Sequence, residues 1–179
     1  MSDVTPARNN IKIQDVAFRS ALSESVGSKI AGAINFLNTK DYQTHSFNFN
    51  GAYSLGVGVV GADGIFPILF DMEIVGLTMF NRKSGTTGTT ELDIEWLNGT
   101  NSNQGSIFST TPKMTSSTSD FSYLIRDELN GSNVELPTGA TAPVFSKTEF
   151  DAGQALFCKI VSAMQGAEDC SLLLHFRPR

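Results

Sequence analysis

Three carboxylates stand at alternate positions, Glu91, Asp93 and Glu95, in the stretch TELDIEW. On an extended chain alternate side chains share a face, so the acids would form one row. Oxygen ligands of this kind suit a hard cation, and two acids about 5–9 Å apart can hydrolyse a glycosidic bond. With a rise of about 3.3 Å per residue, alternate acids stand roughly 7 Å apart, too far for one ion to collect all three without a bend. No EF-hand spacing accompanies them. The row therefore reads as a solvated or inter-subunit face, with cation binding and glycan cleavage as the sharper alternatives. Asp71 and Glu73 repeat the pair with no further support. Trp96 would point away from Glu95 in a regular strand, so it adds no sugar platform to the acids.

The two histidines, His45 and His175, lack the neighbouring Cys, His or Asp spacing of a zinc site. A Ser-His-Asp triad is assembled in space rather than in sequence, yet no G-x-S-x-G elbow is present, and both histidines read as structural. Cys158 and Cys170 are the two cysteines. They read as small buried hydrophobes in a reducing compartment, with one hairpin disulfide as the alternative. Gly56, Gly58 and Gly61 have no downstream Lys-Ser/Thr to complete a phosphate loop. Gly85 and Gly88 fall in a Thr-rich turn. Asn98-Gly99-Thr100 and Asn130-Gly131-Ser132 match glycosylation acceptors but read as turns. No catalytic, cofactor-binding or metal site follows from these residues, and the chain is expected not to be an enzyme.

The elements that would carry these residues divide the 179-residue chain unequally. Residues 1–14 read as an arm, in which Pro6, Asn9 and Asn10 oppose regular structure while Ile11 and Ile13 can lie extended against a neighbour. Alone such an arm would be loose; in an assembly it would dock. Residues 15–40 read as an amphipathic helix. Phe18, Leu22, Val26, Ile30, Ile34 and Leu37 follow one another at helical spacing and share a face. The stripe needs a partner, either the chain's own sheet or a neighbouring subunit, and is too short to declare a coiled coil.

From residue 41 to 179 the period changes to two. Phe47 and Phe49 alternate with polar residues, as do Leu92, Ile94 and Trp96, then Phe121, Tyr123 and Ile125, then Leu156, Cys158 and Ile160, and finally Leu172, Leu174 and Phe176. Residues 61–64 and 84–88 read as turns, 112–119 as a surface loop and 130–142 as turn-rich. Residues 123–129 could add a helical turn. Pro67 belongs at an edge or bulge. Many short strands without crossover helices predict an antiparallel β-sandwich or jelly roll, not a doubly wound sheet.

Composition narrows the partners. A formal charge of -5 and scattered basic residues give little attraction to nucleic acid. No run of about 18 apolar residues predicts a membrane span, and the first ten residues lack the apolar core of a signal peptide.

The segment SGTTGTTELDIEWLNG, residues 84–99, followed by GSIFSTTP, residues 105–112, resembles a segment of β-sandwich virion proteins of tailed bacteriophages, of the head-decoration, head-fibre or tail-appendage type. FNFNGAYSLGVGVVGADGIFPILFDMEIVGLTMFN would supply the preceding strands, so the resemblance extends over roughly residues 45–176. It implies a virion location, assembly as a homo-trimer, and binding to the major capsid protein or other virion proteins through large surfaces. Capsid decoration or head-fibre anchoring through Ile11, Ile13 and the stripe from Phe18 to Leu37 is the first expectation. A tail-fibre or tail-adaptor module touching a host glycan or protein through Trp96 and Tyr123 is the second. Neither implies a cofactor.

Overall fold

The computed structural model describes residues 42–53 and 59–179, with the side chains of all but 59–63. The arm and helix expected over residues 1–40, with Ile11, Ile13, Phe18, Leu22, Val26, Ile30, Ile34 and Leu37, lie outside the described residues.

The period-two segments become long strands because each has one apolar face to bury. In order they are β1 (Gln43–Ala52), β2 (Val59–Pro67), β3 (Met72–Lys83), β4 (Thr89–Leu97), β5 (Asn103–Ser106), β6 (Phe108–Thr110), β7 (Lys113–Thr115) and β8 (Ser122–Asp127). They continue with β9 (Ser132–Glu135), β10 (Ala140–Thr141), β11 (Val144–Phe145), β12 (Glu149–Phe150), β13 (Ala155–Ser162) and β14 (Glu168–Pro178). The first sheet runs β1-β14-β3-β8-β9, with β12 also on β3. The second runs β2-β13-β4-β7-β10, with β5 also on β4, and β6 and β11 make a separate ribbon. Every pairing is antiparallel. Within this arrangement β1, β14, β3 and β8 face β2, β13, β4 and β7. In chain order these eight strands alternate between the two sheets, apart from the step from β4 to β7. This is the double Greek key of a jelly roll.

One core fills the space between the sheets. Met72, Ile74, Leu77 and Met79 of β3 meet Cys170, Leu172, Leu174 and Phe176 of β14 on one side, and Leu92 and Ile94 of β4 meet Leu156, Cys158 and Ile160 of β13 on the other. All are at most 4% exposed. Each large aliphatic or aromatic side chain taken from water stabilises the fold by about 1.5–3 kcal/mol before ordering costs.

The irregular segments differ from the sequence expectations in instructive ways. Residues 61–64 do not form a turn between strands; they lie within β2. Val60 stands opposite Lys159 and Ile65 opposite Phe157, so the intervening residues bulge out of the ladder, and Gly64 takes a positive φ of 70°. Residues 112–119 contain β7, and 130–142 contain β9 and β10. Residues 123–127 remain strand and are followed by a tight turn. No helix occurs among the described residues.

Candidate functional site

The acidic row does form. β4 buries Leu92 and Ile94 on one side and turns Glu91, Asp93 and Glu95 to the other, the outer face of the second sheet. There each carboxylate finds its own partners. Glu91 lies directly across from Lys113, whose Nζ is 3.0 Å away, and accepts a hydrogen bond from Thr111 Oγ1. Asp93 accepts one from Ser106 Oγ at 2.6 Å, with Lys159 Nζ at 3.9 Å. Glu95 pairs closely with Lys159 and accepts a hydrogen bond from Asn103 Nδ2 at 2.5 Å. Burial pushes the Asp93 carboxyl up, against the pull of Ser106 and Lys159. Burial also pushes Glu95 upward, but the hydrogen bonds from Lys159 and Asn103 and the charge of Lys159 bring it below its ordinary value. The two lysines thus tie the row into cross-strand pairs. No group of three or more His, Cys, Asp or Glu side chains that could hold a metal ion occurs among the described residues. Glu73 is likewise paired, with Arg177 at 2.8 Å, and Asp71 accepts from the Ala152 amide at 2.9 Å.

The histidines and cysteines are built into the body. His175 lies on the outer face of the first sheet with a hydroxyl at each ring nitrogen, Thr44 Oγ1 at 3.0 Å from Nδ1 and Thr78 Oγ1 at 2.8 Å from Nε2. Its ring occupies space left by Gly76, where a Cβ would stand 3.5 Å from His175 Cδ2 and 2.8 Å from the Arg126 carbonyl oxygen. Partial burial lowers its pKa. His45 stacks on Phe66 with ring centres 4.1 Å apart. Cys158 and Cys170 are free thiols, buried on opposite sheets. Burial pushes Cys158 well up and Cys170 up to about 12. Asn98-Gly99-Thr100 lies in a turn, and Asn130-Gly131-Ser132 leads from a turn into β9. Asn98 Oδ1 accepts from the Thr100 and Ser102 amides at 3.0 and 2.9 Å, and the Asn130 side chain donates to Asp127.

Trp96 and Tyr123 are not brought together. Trp96 lies on the Leu92–Ile94 side of β4, packs against the core, and meets Phe150 edge-on at 6.2 Å beneath Lys147 Nζ, 4.6 Å from its ring centre. Tyr123 stands on β8, in the other sheet, and is 46% exposed.

Two apolar surfaces were not singled out by the sequence. One is a cavity of about 180 Å³ where β1 begins, β2 and β14 end and β3 begins. Phe66, Ile68, Met72 and Phe176 form its wall, with Leu69 and Phe70 at its rim. The other is the β9 edge, where Val134 and, just beyond the strand, Leu136 are exposed. The available signals were the run of apolar residues from Ile65 to Phe70 and the pair Val134 and Leu136 inside an otherwise polar stretch.

No family model matches the chain, and no curated protein matches it. Among solved structures it is similar to the SPBc2 prophage-derived protein YomS, at 16% identity and a TM-score of 0.33, over 75% of this chain and 94% of that one. It is similar to a chain of the cyanophage Pam1 capsid asymmetric unit, at 9% identity and a TM-score of 0.36, over 78% and 86%. It is also similar to the family 11 carbohydrate-binding module of Clostridium thermocellum, at 8% identity and a TM-score of 0.29, over 77% and 88%. The neighbours thus include phage and capsid-related structures, at similarities that carry no argument about what this chain does.

Proposed function

We propose that the chain is a non-enzymatic structural protein of a bacteriophage virion, a capsid decoration or head-fibre protein held to the shell through its N-terminal region. One contrast supports this reading. The side chains with reactive potential, Glu91, Asp93, Glu95, His175, Cys158 and Cys170, are paired or buried, whereas large apolar side chains such as Leu69 and Val134 stand open to solvent. Such a surface suits protein contact better than turnover. The resemblance of residues 84–99 and 105–112 to phage β-sandwich proteins points the same way. Its partners in this reading are the major capsid protein and sister copies, in a homo-trimer; the net charge of -5 argues against direct contact with nucleic acid.

Cryo-electron microscopy of the native particle tests this. Density for the jelly roll on the capsid lattice, joined to the shell by its N-terminal segment, is the expected result. Density confined to the tail would make the chain an adaptor or receptor-binding module, with Tyr123 among the exposed residues to test for contact. Absence from the particle would overturn the virion reading.

A further inference from the structure

Asn-Gly is the dipeptide in which a chain most readily attacks itself, because glycine has no side chain to shield its amide nitrogen from the preceding carboxamide. It occurs three times, at Asn50-Gly51, Asn98-Gly99 and Asn130-Gly131. The reaction needs a carboxamide free to turn its carbon toward the glycine nitrogen, a glycine N–H free to give up its proton, and a backbone free to bring the two together. Local opening supplies all three, so the cost of opening decides which asparagine reacts.

The fold restrains two of the three. Asn98 Oδ1 is the hub of its turn and accepts from the Thr100 amide at 3.0 Å, Thr100 Oγ1 at 2.8 Å and the Ser102 amide at 2.9 Å. All three bonds must break before the carboxamide rotates. Gly51 lies within β1, and its amide donates to Asp169 Oδ1 at 2.5 Å, while Arg82 Nε holds Asp169 Oδ2 at 2.5 Å. Opening there also disturbs Phe49, the neighbour of Asn50, which is 3% exposed in the core.

Asn130 closes the β8–β9 hairpin. Its turn is held by the Gly131 amide on Glu128 O at 3.1 Å, by Arg126 Nη1 on Gly131 O at 2.9 Å and by the Asn130 side-chain amide on Asp127. Asn130, Gly131 and every residue of β9 are exposed. β9 pairs with β8 alone among the described strands. This hairpin therefore opens without lifting a buried side chain out of the core, and of the three sites it costs least to open.

We infer that Asn130-Gly131 is a self-modification site whose reaction releases β9. The Gly131 nitrogen loses its proton and bonds to Asn130 Cγ; the Cγ–Nδ2 bond breaks, and ammonia leaves with that proton. Water then opens the succinimide ring at either carbonyl, giving aspartate or isoaspartate. In both products a carboxylate replaces the amide that donated to Asp127, so attraction becomes like-charge repulsion. Isoaspartate also lengthens the main chain by one carbon and shifts the register that sets Ser132 opposite Asp127 and Asn133 opposite Arg126. The edge strand is lost by a slow clock that needs only water.

Incubating the full-length chain in mildly alkaline buffer, native and in guanidinium, tests it. Trypsin places the three asparagines in separate peptides, residues 41–82, 84–113 and 127–147, and fragment masses locate each conversion. The native chain should convert Asn130 several-fold faster than Asn50 or Asn98, and guanidinium should bring the three rates together. Hydrogen exchange at residues 132–135 should quicken in the converted protein, separated by its added charge, while exchange in β14 stays unchanged. Asn130→Asp, which carries the charge without the added carbon, should quicken it too. An Asn130 that converts no faster than the other two in the native chain, or not at all, overturns the site. Unchanged exchange of β9 in the converted protein overturns its release.

Discussion

Gly85 sits where the loop after β3 presses on the turn between β13 and β14, and replacing it with alanine tests that contact. A Cβ at this position would stand 2.4 Å from Met164 Cβ, 2.6 Å from the Gln165 carbonyl oxygen and 3.1 Å from the Met164 carbonyl carbon. Two of these neighbours are backbone, and Met164 is fully buried. The turn cannot withdraw without stretching the hydrogen bonds from Thr86 N to Gln165 O at 2.9 Å and from Gln165 N to Thr87 O at 3.0 Å. Overpacking of this kind costs about 1–3 kcal/mol, and each weakened hydrogen bond adds about 0.5–1.5 kcal/mol. Together they predict a loss of about 3 kcal/mol. Equilibrium urea unfolding at a fixed protein concentration measures it. With a slope of about 2 kcal/mol/M, the midpoint should fall by roughly 1.5 M. Gly99→Ala is the internal control, since its Cβ would meet nothing nearer than Gly153 O at 3.8 Å; its stability should stay within about 0.5 kcal/mol of wild type. A Gly85→Ala protein as stable as the control would refute the close approach of the two loops.

Three further outcomes are expected. His175 has a lowered pKa in the fold, so below its ordinary value of 6.5 the unfolded chain binds more protons. Stability should be complete above that pH and fall as the pH drops through 6.5 and then the folded value. The decline should shrink in His175→Asn, and an unchanged pH dependence of the urea midpoint would count against it. Lys159→Met removes the partner of Glu95 and leaves Asp93, itself 7% exposed, without its nearby ammonium. A hydrogen bond to a charged group is worth about 1.5–3 kcal/mol, and partial exposure brings the expected loss at neutral pH to about 1–2 kcal/mol. Glu95 titrates below its ordinary 4.5 in the fold, so that part of the loss should fade as the pH falls through that range. A double-mutant cycle with Glu95→Gln isolates the pair. Finally, Cys158 and Cys170 should resist Ellman's reagent at pH 8 in the native protein and react together in denaturant; rapid labelling of either native thiol would contradict their burial.

The long strands were legible because a two-residue period has one physical reading when one face must be dry. Leu92 and Ile94, Leu156, Cys158 and Ile160, and Leu172, Leu174 and Phe176 all turned inward as their alternation required. The chain could not announce which strands would become neighbours, since β1 meets β14 and β2 meets β13 across more than half its length. Local signals misled where pairing overrode them. Gly61 and Gly64 resemble turn residues, yet the ladder with β13 resumes on both sides of them and leaves a bulge. β7, β9 and β10 arise in Ser-, Thr- and Gly-rich stretches with little strand propensity, because an existing sheet edge offers them hydrogen bonds. The acidic row was readable as a row, but its partners Lys113 and Lys159 come from strands chosen by topology. Trp96 was expected to be a contact residue, and its position against Phe150 depends on where β12 lands.

The pairing of β1 with β14 places Gln43 opposite Phe176, so the polypeptide enters and leaves the jelly roll at the same corner. β14 extends from Glu168 to Pro178, and at about 3.3 Å per residue the opposite pole lies roughly 35 Å away. A peptide or fluorophore fused after Arg179 would therefore crowd the point where the N-terminal segment joins. One inserted in the turn at Gln165–Gly166 would be carried at the far pole. The same adjacency makes tension between residues 42 and 179 act like a zipper, parting one β1–β14 pair at a time instead of loading the whole ladder at once.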